Sequence, residues 1–116
     1  MGDSKLQQLL ATKPVLLGSA IESGSPAFVE ISGRLGFEVA WLDLEHYRHS
    51  PTDVAAFCTA CSASGAMPLL RIADASRESI LPALEAGATL VVIPMVESAE
   101  PNSEAAAPVM SSRSRP

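Results

Sequence analysis

The chain has 116 residues, 47% hydrophobic and 18% charged, with a net charge of -5, which suits one small domain with a real core and is too short for two. That acidic balance, with no basic stripe, argues against nucleic acid or an anionic membrane surface as partner. The start, MGDSKLQQLL, has one Lys and no long apolar core, and the longest apolar run, Leu90 to Val96, falls far below the roughly 20 residues that cross a bilayer. A cytoplasmic protein without a membrane span is expected.

In chain order, Asp3 to Thr12 predicts a short helix covering one end of the fold, capped by Asp3 or Ser4, with Leu6, Leu9 and Leu10 on one face. Pro14 to Gly18 predicts a first buried strand, and Glu22-Ser23-Gly24 the loop after it. Ser25-Pro26 opens a helix whose apolar face is Phe28, Ile31 and Leu35, and Gly36 stops it. The pattern then repeats. Phe37 to Leu42 predicts a strand, Ser50-Pro51 a helix start, and Val54, Phe57, Cys58 and Cys61 the apolar face of that helix, closed by Gly65. Met67 to Leu70 predicts a third strand ending at Arg71, followed by a helix with Ile80, Leu81 and Leu84 inward. Pro82 starts or kinks that helix and Gly87 closes it. Thr89 to Ile93 predicts a fourth strand, stopped by Pro94.

Gly36, Gly65 and Gly87 are separated by 29 and 22 residues, near the ~30 residues of a strand with its crossover helix. Strands without polar alternation imply a parallel sheet covered on both sides. The predicted fold class is α/β: four βα units, either the N-terminal half of a (β/α)8 TIM barrel or a small doubly wound sheet. A whole barrel needs about 250 residues. From Pro101 to Pro116 the chain has no apolar periodicity and is rich in Ser, Ala and Pro, so the expected organisation is a folded part over 1–100 and a disordered tail over 101–116.

Chemistry is expected where the second strand ends. Asp43, Glu45 and His46 follow its apolar run directly, Arg71 ends the third strand, and Glu97 follows the fourth. Carboxyl ends of parallel strands are where α/β folds place their sites. A His beside a carboxylate can act as a base, because the acid fixes its tautomer and stabilises the imidazolium. An Arg facing that pair could hold a substrate carboxylate and developing enolate charge. His49, Arg48 and Arg77 read as surface residues, Asp74 as a turn cap, and Trp41 and Phe57 as core. The pair Cys58 and Cys61 lies within a helix without a second pair, and reads as small core residues.

The segments VLLGS, SPAFVEISGRLGFEVAWLDLEH, PLLRI and LEAGATLVVIPMVESAE, in this order and spacing, resemble the HpcH/HpaI aldolase family, from about Val15 to Glu100. The resemblance implies a (β/α)8 barrel that cleaves 4-hydroxy-2-oxo acids to pyruvate and an aldehyde with a divalent metal such as Mg2+, Mn2+ or Co2+. It implies His46 as base or proton shuttle, Asp43 as its orienting partner, and Arg71 as the pyruvate-binding, enolate-stabilising residue. Glu45 supports the loop, and Glu85 stands in LEAG where the family usually has Asp. Tyr47 takes the place of a small residue, which implies a narrower mouth. The family's metal ligands, a Glu and an Asp, belong to later strands, so no metal ligand is expected within this chain. The family pattern would continue after VESAE into an amphipathic helix, so the chain reads as a truncated or frame-shifted aldolase. The expected partners are small 2-oxo acids and aldehydes, with self-association or homo-oligomerisation through uncovered sheet edges. The alternatives are a non-catalytic, self-associating βα fragment, and a citrate-lyase-like or phosphoenolpyruvate-handling relative.

Overall fold

The computed structural model describes residues 4–99 and the backbone of residues 110–111. Its elements are α1 (Lys5–Thr12), β1 (Gly18–Ala20), α2 (Pro26–Arg34), β2 (Val39–Asp43), α3 (Pro51–Ser64), β3 (Met67–Arg71), α4 (Arg77–Ala86), β4 (Leu90–Ile93) and β5 (Met110–Ser111). The strands lie side by side in sequence order and every neighbouring pair is parallel. Strand and helix alternate through four units, as the glycine spacing predicts. Gly65 and Gly87 end α3 and α4 in the left-handed conformation, at φ +85° and +112°, which a residue with a Cβ seldom adopts.

Two apolar layers sandwich the sheet. Ala40, Leu42, Leu70, Val91 and Ile93 point to the helices and meet Val29, Phe57, Cys61, Ile80 and Ala83. Alternate positions Val39, Met67, Leu69 and Val92 face the other way, where Leu6 and Leu9 of α1 pack against them together with Trp41 and Leu90. That second face is the inward face of a barrel, and α1 covers part of it. Ser4 caps α1 with a full capping box, as expected of Asp3 or Ser4.

The first unit departs from its prediction. Strand β1 runs Gly18–Ala20, later than the predicted 14–18, and Val15 and Leu17 are exposed. The cause is Glu38. Its carboxylate takes the Leu17 N–H at 2.7 Å and the Lys13 ammonium at 2.7 Å, so the chain reaches the ladder only at Gly18, opposite Val39. On α2, Val29 and Ser32 are the buried residues, while Phe28, Ile31 and Leu35 are each more than half exposed. Their helical spacing is real, but the stripe faces away from the sheet.

Helix α4 runs unbroken through Pro82, which is exposed. It buries Ile80 and Ala83, while Leu81 and Leu84 are each 37% exposed rather than inward. Cys58 and Cys61 are free and buried, and burial pushes their thiols up to about 11 and about 12, as suits core residues and not a redox pair. Phe57 is fully buried, whereas Trp41, also predicted as core, is only partly buried. The tail predicted as disordered lies outside the described residues, apart from Met110–Ser111, which pair with Val92 and Ile93.

Candidate active site at the strand ends

Strands β2 and β3 pair in a register that sets Asp43 beside Arg71, and the ladder continues one step past them through Leu44 N–H to Arg71 O at 2.8 Å. Both side chains therefore leave the same end and the same face of the sheet. Asp43 is buried, and four N–H donors hold its carboxylate. Oδ1 accepts the backbone N–H of Glu45 at 2.8 Å and of His46 at 3.2 Å, together with Arg71 Nε at 3.2 Å. Oδ2 takes Arg71 Nη2 at 2.5 Å and lies 3.1 Å from His46 Nδ1. The Arg71 fork, with the backbone N–H groups and His46 behind it, holds the Asp43 carboxyl far below the usual carboxylate range. Asp43 in turn keeps Arg71 charged.

Arg71 is fixed on a second side by the Trp41 ring, whose centroid is 5.6 Å from the guanidinium carbon. Of its five N–H donors, Nε and one of Nη2 go to Asp43, and Nη2 also reaches His46 Nδ1 at 2.9 Å. The two donors of Nη1 are the ones these bonds leave over. His46 Nδ1 is thus shared: it donates to Asp43 in one tautomer and accepts from Arg71 in the other. Glu45 stands at the edge, with Oε1 3.4 Å from His46 Nδ1 and 3.6 Å from Arg71 Nε.

Asp43, Glu45, His46 and Arg71 are therefore brought together by the fold. Glu85 is not: it sits exposed on α4, in a groove between α3 and α4. Glu97 is an exposed loop residue after β4. Arg48 and Arg77 are exposed, and Asp74 accepts the Ser76 N–H and the Ser79 hydroxyl as a turn cap should. His49 is not a plain surface residue. Its Nε2 is enclosed without a partner among the described residues, and its ring lies where a Cβ on Gly24 would come within 3.2 Å.

Glu22 belongs to no motif and is not among the residues predicted for the site. It lines an open cleft of about 320 Å3 with Ala20, Trp41, Asp43 and Arg71, and its nearby carboxylate raises the Tyr47 phenol above its ordinary value. The signal that could have found it is its place after the first strand, where the other units also present polar groups.

Ligand atoms of Asp43, Glu45 and His46 lie within 4.8 Å of one another, a spacing open to a cation. They do not fit one. Four donors from Arg71 and the backbone already hold Asp43, three of them on Oδ1, and the capacity left on Oδ2 faces His46 Nδ1 at 3.1 Å. A cation there would also face the guanidinium, only 2.9 Å from the His46 nitrogen.

A parallel βα sheet with an acid, a histidine and an arginine at its carboxyl ends is the arrangement of an α/β-barrel site. The chain is 32% identical over 92 residues to the 2-dehydro-3,6-dideoxy-6-sulfogluconate aldolase of Pseudomonas putida, covering 79% of this chain and 36% of that protein. It is 32% identical over 94 residues to the hydroxypyruvate/pyruvate aldolase of Agrobacterium fabrum, covering 81% and 35%. Among solved structures, an HpcH/HpaI aldolase from Desulfitobacterium hafniense superposes with a TM-score of 0.73 at 23% identity, covering 80% of this chain and 36% of that one. An HpcH/HpaI aldolase/citrate lyase family protein from Burkholderia cenocepacia gives 0.70 at 27%, covering 80% and 37%. No family profile matches the chain. The chain belongs to the HpcH/HpaI aldolase family, and its fold is the N-terminal half of that family's (β/α)8 barrel. It spans about a third of the length of the curated relatives it matches.

Proposed function

We propose that this chain carries the proton-transfer and carboxylate-binding part of a pyruvate aldolase, a carbon–carbon lyase that cleaves 4-hydroxy-2-oxo acids to pyruvate and an aldehyde. The observation that supports it most is the Asp43–Arg71–His46 cluster at the ends of β2 and β3. Arg71, clamped by Asp43 and Trp41, offers the Nη1 donors to a substrate carboxylate or enolate oxygen. His46 acts through Nε2 when Nδ1 donates to Asp43. It takes the proton of the C4 hydroxyl, the C3–C4 bond breaks, C4 leaves as the aldehyde carbonyl, and the bond's electron pair becomes the pyruvate enolate. Return of that proton to C3 gives pyruvate. Asp43 is the positioning residue for both partners, and Glu45 supports the loop.

The family resemblance carries the expectation of a divalent metal, which would supply Lewis-acid stabilisation of the enolate. The described residues do not form its ligand set, since Asp43 is committed to Arg71, the loop amides and His46, and the guanidinium lies 2.9 Å from the His46 nitrogen.

The test is pyruvate release from a 4-hydroxy-2-oxo acid by the purified chain with Mg2+ or Mn2+, against a chelator control and a His46→Ala variant. Release that is lost in the variant, with a drop of about 100-fold or more, supports the reading. Release that survives His46→Ala undiminished removes His46 from the chemistry. No release from a folded, soluble chain means that these residues do not suffice without the rest of a barrel.

A further inference from the structure

The cleft beside Arg71 has an acidic wall for which the proposed chemistry has no use. Glu22 reaches it from the β1–α2 loop, and Trp41, Asp43 and Arg71 from β2 and β3. The loop lies close against the β2–α3 loop: Gly24, at φ +68°, approaches the His49 ring so nearly that a Cβ there would come within 3.2 Å. Glu22, two residues before Gly24, faces the cleft from this loop.

The charges decide what can bind. Among the lining residues Arg71 is the one cation, Asp43 is already paired with it, and Glu22 faces the same space with no ion pair of its own among the described residues. A ligand with one carboxylate can satisfy the free Nη1 donors of Arg71. A second carboxylate on the same ligand meets a like charge across a cleft only about 320 Å3 in volume. Hydroxyl groups meet no such repulsion, since an ionised carboxylate accepts their hydrogen bonds.

We propose that Glu22 is a specificity-determining residue that rejects a second anionic group and favours oxo acids whose remainder is neutral or hydroxylated. This rests on the reading of Arg71 as the carboxylate anchor. Rejection by a placed charge is a common way to separate ligands that an anchor alone would bind equally.

Trp41 is the chain's single tryptophan and lines the cleft, so its fluorescence reports occupancy directly. The experiment titrates the full chain with 2-oxopentanoate and with 2-oxoglutarate, which match in chain length and differ by a terminal carboxylate. The expected result is a monocarboxylate preference of about tenfold. Glu22→Gln keeps the shape and removes the charge. It is expected to strengthen 2-oxoglutarate until the ratio nears one, with 2-oxopentanoate unchanged. A ratio that Glu22→Gln leaves unchanged overturns the proposal while the Arg71 reading stands. Titrations in which neither ligand perturbs Trp41, in wild type or variant, overturn both. Raising the salt to about 1 M, where the Debye length is about 3 Å, tests the wild-type chain alone. Loss of the preference supports a charge effect, and a preference that persists overturns it in favour of shape.

Discussion

Asp43 is the residue on which the others depend, because it neutralises Arg71, accepts two loop amides and faces His46 at once. Replacing it by Asn keeps the size and leaves Arg71 without its counter-ion in a partly buried position. Asp43→Asn is expected to destabilise the fold by about 3 kcal/mol, read from urea midpoints near neutral pH. The sign with pH follows from the depressed Asp43 pKa. The stabilisation is fully present above the unfolded value of about 3.9 and is lost as pH falls through the folded value. The gap between wild type and variant should therefore narrow below about pH 4, and a gap that stays constant into acid would assign Asp43 a purely steric role. Tyr47, the chain's single tyrosine, offers a second check. Its phenolate absorbance should titrate above the ordinary value in the wild type, and closer to it in Glu22→Gln. The sequence made Asp43 and His46 legible because they are three positions apart on one loop. Glu22 and Tyr47 were not legible as a pair, since only folding brings their two loops together.

Between elements, the closest approach is that of α2 to α3. A Cβ on Gly33 would lie 2.4 Å from the Ser64 hydroxyl oxygen and 2.9 Å from its carbonyl oxygen, and the carbonyl cannot rotate away. Gly33→Ala is expected to cost about 2 kcal/mol despite its better helix propensity, and Gly33→Ala with Ser64→Gly should recover only part of it. Full recovery would mean that the backbone contact is slack. The start of α3 rests on the reciprocal bonds of Ser50 and Asp53, and Ser50→Ala should lower stability by about 1 kcal/mol in a thermal or urea melt. The units β2–α3 and β3–α4 followed their sequence signals because each apolar strand has cover on both faces. For β1 and α2 the apolar residues are equally regular, but periodicity cannot tell which side of a helix will meet the sheet.

For the whole molecule, uncovered apolar residues flank the edge strand. Phe28, Ile31 and Leu35 line one hollow beside β1, Val15 and Leu17 lead into that strand, and all five are more than half exposed, while β1 pairs with β2 alone among the described strands. The pairing potential of such an edge and an apolar surface of this kind drive association. We expect the chain to self-associate at micromolar concentration, measured by sedimentation, and Ile31→Glu with Leu35→Lys to shift it towards monomer without loss of helical signal. A wild-type chain that stays monomeric throughout would count against this edge as an interface. No described helix is long and apolar enough to cross a membrane. The alternation of strand and helix, the glycine stops and the placing of Asp43, His46 and Arg71 at strand ends can be read from the residues alone, because they depend on local spacing and on burial along one element. The face that α2 buries, the commitment of Asp43 to Arg71, the loop amides and His46, and the meeting of Glu22 with the cleft emerge with the packed fold. Each of these depends on which distant residues share the same space.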